Sequence, residues 1–135
     1  MKKATLTDCN SIAQMLYKMY NELQPELSSK DIDDYISLAK KHITDDFVYI
    51  EESEKGMYIV RDVSSTVINK KIYDGVSVYI EKEFRKSRIL SDMYAHMFKT
   101  FTGTIIGFTE YNSEHNNVLI KRHKLLGYVY ELNRS

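Results

Sequence analysis

The stretch 76–99, VSVYIEKEFRKSRILSDMYAHMFK, changes its periodicity half-way along. Val76, Val78 and Ile80 alternate with Ser77, Tyr79 and Glu81, the period of a pleated strand with one apolar face. A short charged junction, EKEFRKSR, follows. From Ile89 onward Leu90, Met93, Tyr94, Met97, Phe98 and Phe101 recur three or four apart, which predicts one buried side of a helix over about 88–101. Strand, basic turn and helix in this order set free backbone N–H groups beside Arg85, Lys86 and Arg88, a chemistry suited to an anion. The run TIIGFT comes next and reads as a strand. The segment therefore predicts a right-handed crossover between parallel neighbours at 76–80 and 104–108.

Working toward the amino terminus, Asp74-Gly75 is a turn signal just before the strand. Residues 64–71 carry no clear pattern, and 67–73 fits either an extension of the sheet or a loop. Residues 57–60 and 47–51 (FVYIE) read as hairpin partners across the polar turn SEKG. Ile32, Tyr35, Ile36, Ala39 and Ile43 form an amphipathic helix entered through Ser28 and Asp31, a weak capping box. An earlier helix has the stripe Ile12, Met15, Leu16, Met19, Tyr20 and Leu23, with Asp8 as a candidate cap; Pro25, the only proline, ends that helix or starts the turn after it. Ala4, Thr5 and Leu6 suit a short first strand. Toward the carboxyl terminus, Gly103 is a helix stop and residues 104–109 are a strand. Residues 111–117 are loop-like, a helix marked by Val118, Leu119, Arg122, His123, Leu125 and Leu126 ends near Gly127, and 128–132 is a last strand. The pattern predicts a mixed α/β domain over 1–135, a twisted mixed sheet with helices on both faces.

Composition sets outer bounds. A chain of 135 residues with 43% hydrophobic content and eleven tyrosines suits one packed core. Nineteen basic side chains balance nineteen acidic ones, which gives no general electrostatic pull toward nucleic acid. The one cysteine, Cys9, cannot form an internal disulfide and suits a packed side chain in a reducing compartment. No apolar run nears the roughly 20 residues of a membrane span, and MKKATLTD lacks the apolar region of a signal peptide. The expectation is a cytoplasmic protein, monomer or homodimer, with neither nucleic acid nor membrane as partner. His42, His96, His115 and His123 show no ligand spacing, so no metal is expected.

The order strand, basic turn, helix, strand, loop, helix and closing Gly-aromatic resembles the GNAT superfamily of acyl-CoA-dependent N-acyltransferases over essentially the full length. That family opens its pyrophosphate loop with Arg or Gln, followed by glycines three and about five residues later. Arg85 matches the first position, whereas Arg88 and Leu90 occupy the glycine positions. Its second signature is an asparagine after the next strand, a small residue, a tyrosine and Gly-Phe. Asn116 and Gly127-Tyr128 match; Leu119 replaces the small residue and His123 the tyrosine. Divergent members of this kind occur in bacteriophage genomes, which would make the host cytoplasm the compartment.

The resemblance implies acetyl-CoA as cofactor and transfer of its acetyl group to a primary amine of a small molecule, peptide or protein. It places the pyrophosphate over the amides of Lys86, Ser87, Arg88, Ile89 and Leu90 beside Arg85, and the pantetheine arm along Val78, Tyr79 and Ile80. Asn116 shapes the site, His123 gives a proton to the leaving thiolate, and Glu110 is first choice as base, before Glu81 and Glu52. Read without the resemblance, 85–88 is a solvated basic turn, His123 a helix residue in KRHK, and the glutamates strand-end charges. The second class of function is a catalytically silent binding or structural protein of the same fold, favoured by the missing glycines and tyrosine.

Overall fold

The computed structural model describes residues 1–65, 67, 69–102 and 104–107. Among these residues the sheet has five strands in the order β1-β2-β3-β4-β5: Lys2–Lys3, Phe47–Ile50, Gly56–Asp62, Ile72–Ile80 and Thr104–Gly107. The first four are antiparallel neighbours. β5 runs parallel to β4, with Ile72 opposite Thr104 and Gly75 opposite Gly107. The helix α3, Ile89–Thr100, joins these two strands, within one residue of the expected bounds at each end.

β3 explains the layering. Its residues 56–60 are all buried, so helices must cover both faces of the sheet. Met57 and Ile59 point into one core with Val48, Ile50 and Tyr79. That core is closed by α1, Cys9–Leu23, through Ile12, Met15 and Leu16, and by α2, Ile32–Asp45, through Tyr35 and Ala39. Tyr58 and Val60 point the other way, into a core with Ile80, Leu90, Met93, Tyr94, Met97 and Phe101. Strand alternation thus divides one apolar run between two helical layers, as the sequence predicts.

Several local expectations are corrected. Asp74-Gly75 is no turn: both lie inside β4, which starts at Ile72. Ile59 pairs with Ser77 but Val60 with Gly75, leaving Val76 as the extra residue of a β-bulge. The bulge reverses the facing of the strand. Val78 and Ile80 lie with α3, whereas Val76 packs with Tyr79 in the α1/α2 core. The first strand is Lys2–Lys3, not 4–6. The Asp8 carboxylate takes the Thr5 amide at 2.9 Å and Lys2 Nζ at 3.2 Å, which curls residues 6–8 into a 3₁₀ turn and leaves Leu6 exposed. Asp8 thus bonds backward rather than capping α1. Asp31, not Ser28, caps α2, accepting from the Asp33 amide at 3.0 Å. Leu23, expected in the α1 stripe, is exposed at the last turn.

Candidate active site

The junction between β4 and α3 is a chain of tight turns. The Glu81 amide makes the last bond to the β3 side, donating to the Lys55 carbonyl at 2.8 Å. Phe84 N–H then bonds the Glu81 carbonyl at 2.8 Å, and Ser87 N–H the Phe84 carbonyl at 3.1 Å. Lys82–Phe84 is accordingly a 3₁₀ turn. Phe84 anchors it by packing on the α3-side core, under Lys55 Nζ at 5.5 Å. Ser87 closes the loop: its hydroxyl donates to the Phe84 carbonyl at 2.5 Å and accepts from the Ile89 amide at 3.3 Å. The amides of Lys86, Arg88 and Leu90 have no hydrogen-bond partner among the described residues. They stand at the positive end of α3, with Lys86 and Arg88 exposed beside them. Arg88 comes no nearer to Asp92 than 4.0 Å. Leu90, at a glycine position of the resemblance, is buried and fixes the first turn of α3 in the core.

Arg85 points elsewhere. Its Nε donates to the Ile80 carbonyl at 2.9 Å, and its Nη1 and Nη2 each reach one Glu22 carboxylate oxygen at 2.5 Å. The guanidinium lies 5.6 Å from the centre of the Tyr79 ring. The hydrogen bond from Arg85 holds the Glu22 carboxyl below its usual range, and the same bond raises Arg85. Burial pushes the Tyr79 phenol up to about 12, with the Glu81 charge adding to it. Glu81 itself is paired with Lys18 at 2.8 Å. Lys18 and Glu22, one turn apart on α1, were not singled out by the sequence. Glu22 and Arg85 are 63 positions apart, and no local pattern marks such a pair.

Of the expected cofactor residues, Val78 is half-buried on the α3 side, and Tyr79 and Ile80 are buried on opposite faces. Among the described residues, β4 pairs with β5 only over 72–75, so 76–80 is paired on its β3 side alone. Glu52, the third choice as base, is exposed and 4.0 Å from the amino-terminal nitrogen. Glu110, Asn116 and His123 lie outside the described residues, as do the helix and strand expected after 117.

No family model matches the sequence, and no curated protein matches it. Solved structures do match the fold. A possible acetyltransferase from Clostridium difficile 630 superposes with a TM-score of 0.74 at 15% identity, over 99% of this chain and 96% of that one. A probable acetyltransferase gives 0.72 at 17%, over 99% and 97%. Ribosomal-protein-alanine N-acetyltransferase from Brucella melitensis biovar Abortus 2308 gives 0.70 at 13%, over 99% and 96%. The fold is that of the GNAT-like acetyltransferases.

Within this GNAT-like fold, β4, the loop 81–88, α3 and β5 form the unit that the periodicity of 76–99 marks out. Among the described residues no helix is long and apolar enough to cross a membrane.

Proposed function

We propose that the protein is an N-acyltransferase that moves an acetyl group from acetyl-CoA to a primary amine. One observation carries this reading: the loop between β4 and α3 presents amides unpartnered among the described residues, and exposed cations, at the start of a core-anchored helix in a GNAT-like fold. Residues 86–90 would hold the pyrophosphate, with the amides of Lys86, Arg88 and Leu90 as donors and the Lys86 and Arg88 charges beside them. The pantetheine amides would bond β4 backbone at Val78, Tyr79 and Ile80, in the manner of an added strand. The remaining roles are assigned from sequence alone. Glu110 takes the proton of the amine, directly or through water, as its nitrogen bonds the acetyl carbon. His123 gives a proton to the thiolate released when the carbon–sulfur bond breaks, and Asn116 shapes the site. The acceptor is an amine of a small molecule, peptide or protein.

Calorimetry and NMR titration of the full chain with CoA test the cofactor, and thiol release from acetyl-CoA across an amine panel tests the transfer. Saturable heat, shifts at 85–90 and amine-dependent thiol release are expected. No heat and no shifts at millimolar CoA overturn the reading. A second reading, a catalytically silent binding or structural protein, is favoured by the side chains at the two glycine positions, Arg88 and the buried Leu90. CoA binding without thiol release on any amine supports it.

A further inference from the structure

The guanidinium of Arg85 belongs to the opposite layer from the helix it precedes. It lies against Tyr79, a member of the α1/α2 core, while Leu90 and Met93 of α3 fill the core on the other face. Three of its five N–H groups are committed, one to the Ile80 carbonyl and two to Glu22. A second ion pair runs alongside: Lys18, one turn before Glu22 on α1, holds Glu81 at the other end of the 3₁₀ turn. Both ends of the segment 81–85 are thus pinned to one face of α1. A planar fork gripped at both nitrogens and at Nε fixes direction as well as distance, which a lone lysine contact does not.

We propose that Glu22 and Arg85 form a positioning clamp for the anion loop: α1 sets where the amides of Lys86, Arg88 and Leu90 stand, and Arg85 acts through Glu22 and Ile80 rather than by touching phosphate. Glu22 is on this view a positioning residue of the site. The clamp also links the loop to the helix whose C-terminal turn leads into residues 24–31, so a ligand that shifts α1 changes anion affinity, and the reverse. The functional consequence rests on the acyl-CoA reading above. The opposite arrangement is a carboxylate that competes with phosphate for Arg85, and the two differ in sign.

The test is CoA affinity, by calorimetry on the full chain, for Glu22→Ala, Arg85→Ala and the double variant, with amide hydrogen exchange at Phe84 and Ser87. The clamp predicts that each single change weakens CoA by a similar factor, about 3- to 10-fold for a bidentate, partly exposed pair. The double change should be no weaker than either, and exchange at Phe84 and Ser87 should quicken in all three. Unchanged or tighter binding in Glu22→Ala beside weaker binding in Arg85→Ala overturns the clamp and makes Arg85 a phosphate contact. If the unaltered chain binds no CoA, the acyl-CoA reading fails by itself. Faster exchange in both single variants then still supports the clamp, and unaltered exchange overturns it.

Discussion

His42 Nδ1 lies 2.7 Å from Oδ2 of Asp46, one turn further along at the end of α2, and both side chains are buried. Arg61 of β3 completes the group from its exposed side, with Nε 2.9 Å from Asp46 Oδ1 and Nη2 3.2 Å from Oδ2. Burial alone would raise the Asp46 carboxyl. The hydrogen bonds from Arg61 and His42 outweigh it, and the carboxyl is lowered. This cluster ties the last turn of α2 to the sheet beside the β2–β3 pair.

Asp46→Ala leaves a buried imidazole without its acceptor and Arg61 without its hydrogen-bonded carboxylate. It should cost about 2–4 kcal/mol of folding stability, measured by urea denaturation. A folded carboxyl lowered below its unfolded value of about 3.9 contributes stability above that value, and the contribution drains away as pH falls through the folded value. Asp46→Asn should therefore flatten the acid limb of the stability–pH curve. An unchanged limb would assign acid unfolding to other carboxylates.

Tyr58 and His96 make the corresponding contact on the α3 side, with OH to Nδ1 at 2.7 Å. Burial pushes the Tyr58 phenol far up, so it keeps its proton; we assign that proton to this bond, with Nδ1 accepting and the neutral ring carrying its own proton on Nε2. His96 is itself lowered, first by burial and then by the amino-terminal charge and Lys99. A histidine lowered on folding gives stability that is full above about pH 6.5 and declines as pH falls below it. Tyr58→Phe removes a donor to the neutral form. It should raise the His96 NMR titration midpoint and cost about 1 kcal/mol. A midpoint that stays put refutes the assigned direction of the bond.

The sequence discloses the sheet and its layering because burial repeats locally. Met57 to Val60 alternate between two cores, and the switch of period after Ile80 marks the helix. The bulge at Val76 was hidden because Asp-Gly reads first as a turn. An isolated glycine directly before the alternating run from Val76 was the available signal for a bulge. His42 stands on the buried stripe of α2 between Ala39 and Ile43, yet a histidine does not enter a hydrophobic pattern. In the candidate site, the basic turn and the start of α3 were legible. The partners of Arg85 and Glu81 were not, because Glu22 and Lys18 look like any polar helix surface until the fold sets α1 beside β4.

Lys86 and Arg88 are exposed cations at the start of α3, a placement the helix dipole disfavours unless an anion shares the site. Replacing each with Ala should weaken CoA binding by about 0.5–1 kcal/mol at low salt, and less as salt screens the charges. The same replacements should slightly stabilise the ligand-free protein. Salt-independent losses would place the phosphates away from these side chains.

The proposed acid role of His123 is tested by His123→Gln, which keeps polarity and removes titration. A thiolate whose conjugate acid has a pKa of about 8.5 can partly leave unprotonated, so the rate should fall by roughly 10- to 100-fold without vanishing. The loss should fall on kcat more than on CoA affinity. A rate–pH profile that overlays that of the unaltered protein rules the role out.

Gly56 sits where β3, the end of β4 and the start of α3 meet. A Cβ there would lie 3.1 Å from the Tyr79 carbonyl oxygen, 3.2 Å from Met93 Sδ and 3.3 Å from Ile89 Cγ2. The methionine can yield, being flexible. The Tyr79 carbonyl is backbone of β4, and Ile89 is the first residue of α3, so relief there must come from shifting the strand end or the helix start. Gly56→Ala would gain about 0.4–1 kcal/mol from a stiffer unfolded chain, against about 1–3 kcal/mol for overpacking a filled site. The net expectation is a destabilisation of about 1–2 kcal/mol on those figures. Because the displaced elements flank the loop 81–88, CoA affinity should fall as well, measured well below the unfolding midpoint where the variant stays folded. Lost stability with undiminished affinity would mean that the strain is absorbed by Met93 alone, and that the loop does not depend on close packing of α3 over Gly56.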